Sequence, residues 1–346
     1  MALKFLTRLE DQKHPLLGPT LLGLQYWGLL QKGRVKSFIY NLVHIVASLF
    51  VVSQYMELWI IRNNLEMAMR NLSVTMLSTI CVFKAGSFIF WQKSWKKLIE
   101  YVSELEKLQL SKKDETTTKI IFEYTKYSRR VTYLYWCLVT ATVFTVILAP
   151  LLIFLSSPTY RDSIRNGTVP YPEIMSSWFP FNRTRGFGYW ISALHHTLIC
   201  FYGGGVVASF DSTAVAIMTF FAGQLKLLSV NCTRLFGDGN ELVNYDEAVK
   251  RIKDCHIIIV YFDIILKFEM LLNRLLKFLL IFRFSSVLNS LLSPIMFLYV
   301  IICSLMICAS AVQLTTFYQI DIFIMFSFTS FFLIFFISFL IMCSCI

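Results

Sequence analysis

The sequence predicts an all-α fold: a polytopic helical bundle in a membrane, with about six transmembrane helices and the N-terminus inside. Three observations predict it. The 346 residues are 56% hydrophobic and only 15% charged, whereas a soluble domain is nearer a quarter charged. Apolar runs of the roughly 20 residues that a bilayer crossing needs recur along the chain. The apolar part is bulky, with 32 Phe, 16 Tyr and 7 Trp. Together these exclude a disordered chain, a collagen-like chain and an ordinary soluble enzyme.

Residues 1–36 read as a cytoplasmic N-terminal segment. Charges and prolines interrupt them, and no early apolar core precedes a cleavage site, so they are not a secretory signal. Ser37–Ile61 is the first span, uncharged until Glu57. Leu65–Trp91 is the second, with Glu66 and Arg70 near one end and Lys84 inside. The long stem of Lys84 predicts that it snorkels to the inner interface. Val131–Leu155 is the uncharged third span, and Tyr189–Phe221 holds the fourth, with His195, His196 and Asp211. Residues 37–221 thus carry four helices, with an outer loop at 156–188. Residues 222–289 read as a cytoplasmic helical region. Within it, Cys255–Ser286 places Lys267, Arg274 and Lys277 on one helical face. That suits an amphipathic cytoplasmic helix, while an extra span there would bury several charges at considerable cost. Ser290–Val312 and Ile322–Ile346 are the fifth and sixth spans, making up 290–346.

Flanking charge sets the orientation, because Lys and Arg gather in cytoplasmic loops. Residues 1–36 hold six basic residues, 92–130 hold ten and 222–255 hold five; the alternate loops 62–71 and 156–188 hold two and four. The basic loops share one side with the N-terminus. Two sequons, Asn166-Gly-Thr168 and Asn182-Arg-Thr184, fall in the outer loop, where glycosylation occurs. Asn71-Leu-Ser73 lies at the outer edge of the second span, too near the bilayer for modification, and Asn231-Cys-Thr233 falls inside.

The net charge of +11 fits basic inner loops better than nucleic acid, for which no binding motif is present. None of the nine cysteines lies between 156 and 188, so no disulfide framework is expected. Cys343 and Cys345 suit either inert thiols or palmitoylation. Nucleophile-elbow, phosphate-loop and metalloprotease signatures are absent. The chain reads as no enzyme, with no cofactor and no metal. Gly203-Gly204-Gly205 suits close helix packing or a bend. His195 and His196 point about 100° apart on a helix, a poor metal pair. They suit packed interfacial residues or a polar spot in a ligand pocket. Asp211 reads either as a capped or solvated residue or as a functional intramembrane carboxylate that needs a partner.

Val169-Pro-Tyr-Pro172, Trp178-Phe-Pro-Phe181, Tyr189, Asp211 and Gln224-Leu-Lys-Leu-Leu228, in this order, resemble the insect odorant receptor family. So do Ser293-Pro294, Ile307-Cys308 and Gln313-Leu314, and the early Leu21-Leu22-Gly23-Leu24 with Trp27. The resemblance covers most of residues 15–340 and shares the inside N-terminus. It implies a multi-pass plasma-membrane receptor that binds a small volatile ligand in an apolar pocket. It also implies a coreceptor subunit, with which the chain forms a ligand-gated cation channel. The family has seven spans, the seventh lining the pore. Six are read here, so the expectation is a chain without the seventh helix and with an incomplete pore. The run 268–287 is longer than the family's lead into its fifth helix. A gustatory receptor of the same superfamily and a G-protein-coupled receptor are the alternatives. The latter predicts an outside N-terminus, against the charge bias.

The family's pocket lies in the outer half of the bundle. Carried onto this chain, it implies Met69, Leu72 and Met76 from the second span and Phe144, Ile147 and Leu148 from the third. From the fourth it implies Tyr189, Ser192, His195 and His196, and from the fifth Val300. Burial against such walls is worth about 25 cal/mol per Å² of apolar surface.

Overall fold

The computed structural model describes residues 14–31, 33–112, 114–235 and 249. The fifth and sixth spans, the stretch 255–286, Val300, Cys343 and Cys345 lie outside the described residues.

Seven helices follow one another among the described residues: α1 (Gly18–Tyr26), α2 (Arg34–Ile60), α3 (Leu65–Phe90), α4 (Gln92–Ser111), α5 (Glu115–Ser156), α6 (Pro158–Arg165) and α7 (Gly186–Leu235). Local chemistry explains several of their starts. Pro19 sits in the first turn of α1, where a missing N–H costs nothing. Asn64 caps α3 by accepting from the Met67 amide at 3.2 Å, and Asp114 caps α5 by accepting from Thr117 at 2.8 Å. Such caps satisfy amides that have no partner within the helix. Ser157 does the same for α6.

Among the described residues, four helices are long and apolar enough to cross a membrane: α2, α3, α5 and α7. Their burial differs. In the most apolar stretch of α7, 83% of residues are buried, against 22% in α2 and 17% in α5. The long helix α7 is therefore central, and α2 turns Phe38, Leu42, Leu49 and Trp59 outward, as lipid-facing residues would. Helix α7 runs unbroken to Leu235, so the expected boundary at residue 222 falls inside a helix.

The basic stretch 92–130 is not a loop. It folds as α4 and the first third of α5, because its apolar residues follow a helical period. Trp95, Leu98, Ile99, Val102 and Leu105 share one buried face, while Lys93 and Lys97 stay exposed. Trp95 stacks on Phe88 of α3 with ring centres 4.4 Å apart, and both meet Phe210 of α7 edge-on. The segment ahead of α1 is tied to the same place. The Leu16 amide donates to Glu106 Oε2 at 3.2 Å, His14 bonds Ser103 at 2.7 Å, and Arg129 donates to the Pro15 carbonyl. Burial pushes the Glu106 carboxyl up to about 7. Gln109 and Gln224 exchange reciprocal amide bonds of 2.6 and 3.0 Å between α4 and α7.

The glycine triplet serves close packing. A Cβ on Gly205 would enter the Trp27 ring, and one on Gly204 would come within 2.5 Å of Val143 Cγ2.

Lys84 does not snorkel. Its side chain is 1% exposed, and Nζ lies 2.6 Å from Asp211 Oδ1. Tyr135 of α5 donates to Asp211 Oδ2 at 2.6 Å. Snorkelling serves a lysine with no carboxylate in reach. Here one stands on the neighbouring helix, and direct pairing in a low-dielectric interior outweighs extension to the interface. Asp211 is correspondingly neither capped nor solvated, but buried and paired.

Candidate functional site

The outer end of the bundle is closed by chain rather than by helix. Between α6 and α7, residues 170–185 fold back over the ends of α2, α3 and α7 without regular secondary structure. Prolines 170, 172 and 180 deny this strap three backbone donors. Its attachments are therefore individual bonds. The Trp178 amide donates to the Ser53 carbonyl on α2 at 3.1 Å. Gln54 of α2 reaches the Met175 sulfur at 3.8 Å. Tyr189 Oη donates to the Pro172 carbonyl at 3.1 Å, and its ring lies 4.9 Å from that of Tyr171.

Beneath the strap lies a cluster of rings. Ser177, fully buried, shares a 2.8 Å hydrogen bond with His196 Nε2. Phe50 of α2 packs on His195 and His196 with ring centres 5.3 and 5.7 Å away. Phe179 of the strap covers the same two histidines from 5.6 and 5.7 Å. His195 Nδ1 is buried with no hydrogen-bond partner. Two aromatic walls, one satisfied imidazole and one unpaired ring nitrogen make a mostly apolar site with few polar groups, the usual character of a small-molecule pocket.

Charge rims the cluster. Arg183 lies between two carboxylates, with Nη2 2.5 Å from Glu57 Oε1 and Nε 3.0 Å from Glu173 Oε1. Ser176 adds a 3.4 Å bond to Glu57. Burial pushes the Glu173 carboxyl up to about 7; Arg183 pulls it down and Glu57 raises it further. Burial opposes the charge on Arg183, but the two carboxylates hold its guanidinium above its ordinary value.

The expected pocket residues divide. His195, His196 and Tyr189 meet the strap. Ser192 is buried and bonds the Tyr189 carbonyl at 2.8 Å. Met69, Leu72, Met76 and Ile147 are half-buried. Phe144 and Leu148 are 48% and 43% exposed, and Phe144 packs on Phe201 instead. Of the sequon asparagines, Asn166 and Asn182 are exposed, whereas Asn71 is buried between Gln54 and Thr75. Sequence reasoning missed Phe50, Gln54, Ser177 and Phe179. One signal was available: Glu57, the lone acid at the outer end of an uncharged span, faces an outer loop that carries four arginines.

The family model described as 7tm Odorant receptor matches residues 64–345. The chain belongs to the odorant receptor family. This is a family of receptors rather than enzymes, and the four apolar helices agree with a multi-pass membrane protein. Among solved structures, the fold is similar to the insect olfactory receptor OR5 from Machilis hrabei. The TM-score is 0.67 at 15% identity, over 95% of this chain and 78% of that one. It is also similar to the same receptor in complex with eugenol, with a TM-score of 0.66 at 16% identity and the same coverage. No curated protein matches the chain in sequence. Membership favours the odorant reading over the gustatory and G-protein-coupled alternatives.

Proposed function

We propose that this odorant receptor chain is the tuning subunit of an odorant-gated cation channel in the plasma membrane. A small apolar odorant binds in the outer half of its bundle, and a coreceptor subunit completes the channel. The observation that carries this reading is the ring cluster under the strap: Phe50 and His196, buried, and Phe179 and His195, half-buried, with one imidazole nitrogen unpaired. Burial against rings supplies affinity, and a few polar groups supply orientation. Tyr189 and Ser192 adjoin this cluster. Met69, Leu72, Met76 and Ile147 complete its walls, Phe144 and Leu148 stand at its edge, and Val300, outside the described residues, stays a candidate contact by the family resemblance. Residues 1–36 and 222–289 lie in the cytoplasm, and Asn166 and Asn182 carry glycans outside. Binding gates the channel only through contacts that differ between its closed and open states.

The test is electrophysiology of the full chain co-expressed with coreceptor, using a panel of volatiles headed by eugenol, the ligand in the Machilis hrabei complex. An odour-evoked current is expected, and Phe50→Ala should weaken its half-maximal concentration roughly tenfold, the loss of about 1.4 kcal/mol. Silence across the panel, with both subunits shown at the cell surface, would overturn the reading.

A further inference from the structure

We propose that Arg183 is a positioning residue that latches the strap shut over the histidine cluster, and that Glu173 makes this latch sensitive to protons. Only the latch's role in admitting odorant rests on the functional reading above. The latch itself concerns the position of the strap.

The geometry is that of a clasp. A single guanidinium joins Glu173, where the strap enters, to Glu57 on α2, and Arg183 itself stands where the strap leaves. Both ends of the segment 173–183 are thereby fixed to one helix. Between them the chain dips, burying Ser177 against His196 and docking the Trp178 amide on Ser53. The strap has no ladder of backbone bonds; one such bond, from the Tyr171 amide to the Thr184 carbonyl at 3.4 Å, joins its ends outside the clasp, and between 173 and 183 it is held by these contacts and the Gln54–Met175 approach. Loss of the clasp frees the dip to lift as a unit, because segments with few attachments open locally at low cost.

Two carboxylates share one cation, so the closed clasp carries excess negative charge out of water. The groups facing Glu173 are Arg183 of the strap, Glu57 of α2 and Tyr189 of α7, with Tyr160 and Tyr171 beyond; His196 faces Arg183. In the closed strap the Glu173 carboxyl titrates at about 7. In an open, solvated strap it returns to an ordinary value near 4.3. The closed state therefore binds the proton more tightly. Its advantage is complete below the ordinary value and is lost as pH rises through about 7. Between pH 6 and pH 8 the closed form should lose about tenfold in relative population. Protonating Glu173 leaves Arg183 and Glu57 as a matched pair.

The test needs no odorant. Ser177→Cys places a near-isosteric thiol under the strap in the full chain, and a membrane-impermeant maleimide applied to intact cells reports its access. The unsubstituted chain supplies the background of the native cysteines. Arg183→Gln should speed labelling about fivefold at fixed pH, the scale of a modest ion pair; Arg183→Lys, which keeps the charge, should restore part of the protection. In the Glu173→Gln background, labelling should stay slow, with only the pH dependence that thiol ionisation imposes. Relative to it, the Ser177→Cys chain should gain about tenfold between pH 6 and 8. Equal labelling with and without Arg183 would overturn the latch. Equal pH dependence with and without Glu173 would overturn its proton sensitivity. A chain that passes both tests yet gives no odour-evoked current would keep the latch and lose the odorant reading.

Discussion

The two ends of the bundle are closed by different means. At the end bearing α4, helices close on helices: Trp95 stacks between elements, Trp27 fills the notch left by Gly205, and the segment before α1 is bonded to Glu106 and Ser103. At the other end an irregular strap closes the site through single hydrogen bonds and a partly exposed charge cluster. Their ion pairs differ in the same way. Lys84 and Asp211 are 1% and 3% exposed and gain a tyrosine hydroxyl, whereas Arg183 and Glu173 are each 19% exposed and share a second carboxylate. One end is built to stay shut, and the other can open locally without unfolding the rest.

The largest test of the comparison is Asp211→Asn. It leaves Lys84 charged and buried against a neutral amide, and breaking such a pair costs about 3–5 kcal/mol. Thermal unfolding in detergent should show it as a large fall in midpoint. The double variant Lys84→Met with Asp211→Leu should be markedly less damaged than Asp211→Asn, since no charge is stranded. If the single variant is as stable as the parent, the rigid end does not depend on this pair.

Much of this end was legible in the sequence. Spans were readable because apolar runs of bilayer length have no other common use, and Gly203-Gly204-Gly205 pointed to close packing. The pairing of Lys84 was not legible. Asp211 lies 127 residues away, and hydropathy reports one helix at a time. The helical nature of 92–130 was hidden by counting its charges for orientation and passing over the period of Trp95, Leu98, Val102 and Leu105. At the outer end the proline- and aromatic-rich loop carried the family resemblance, yet no periodicity told where it would fold. That Ser177 meets His196, or that Phe50 faces both histidines, depends on an irregular backbone for which sequence offers no repeating rule.

Gly205→Val is the next test. The added side chain must displace the Trp27 ring, and overpacking of this kind costs about 1–3 kcal/mol. Hydrogen exchange should quicken in α1 while the strap is unchanged. Faster exchange in the strap as well would show that the two ends are coupled, contrary to the comparison.

Smaller still is the effect of Arg183→Gln on global stability. Partly exposed pairs contribute about 0–1 kcal/mol, so the unfolding midpoint should barely move, while the Trp178 amide loses its protection from exchange. A fall in global stability of more than about 2 kcal/mol would mean that the outer cluster holds the whole bundle, and local opening would no longer distinguish the two ends.

The smallest expected effect belongs to a charge pair on the closed end that lies outside its core. Lys226 of α7 approaches Glu123 of α5 at 3.4 Å, with side chains 61% and 52% exposed. Both stay hydrated, and salt screens what attraction remains. Lys226→Ala should change stability by less than about 0.5 kcal/mol at any ionic strength. Because the pair lies on the same two helices as Asp211 and Tyr135, it separates burial from location. If its loss costs as much as that of Asp211, position in the bundle sets the energy of a charge pair; if it costs nothing, burial does.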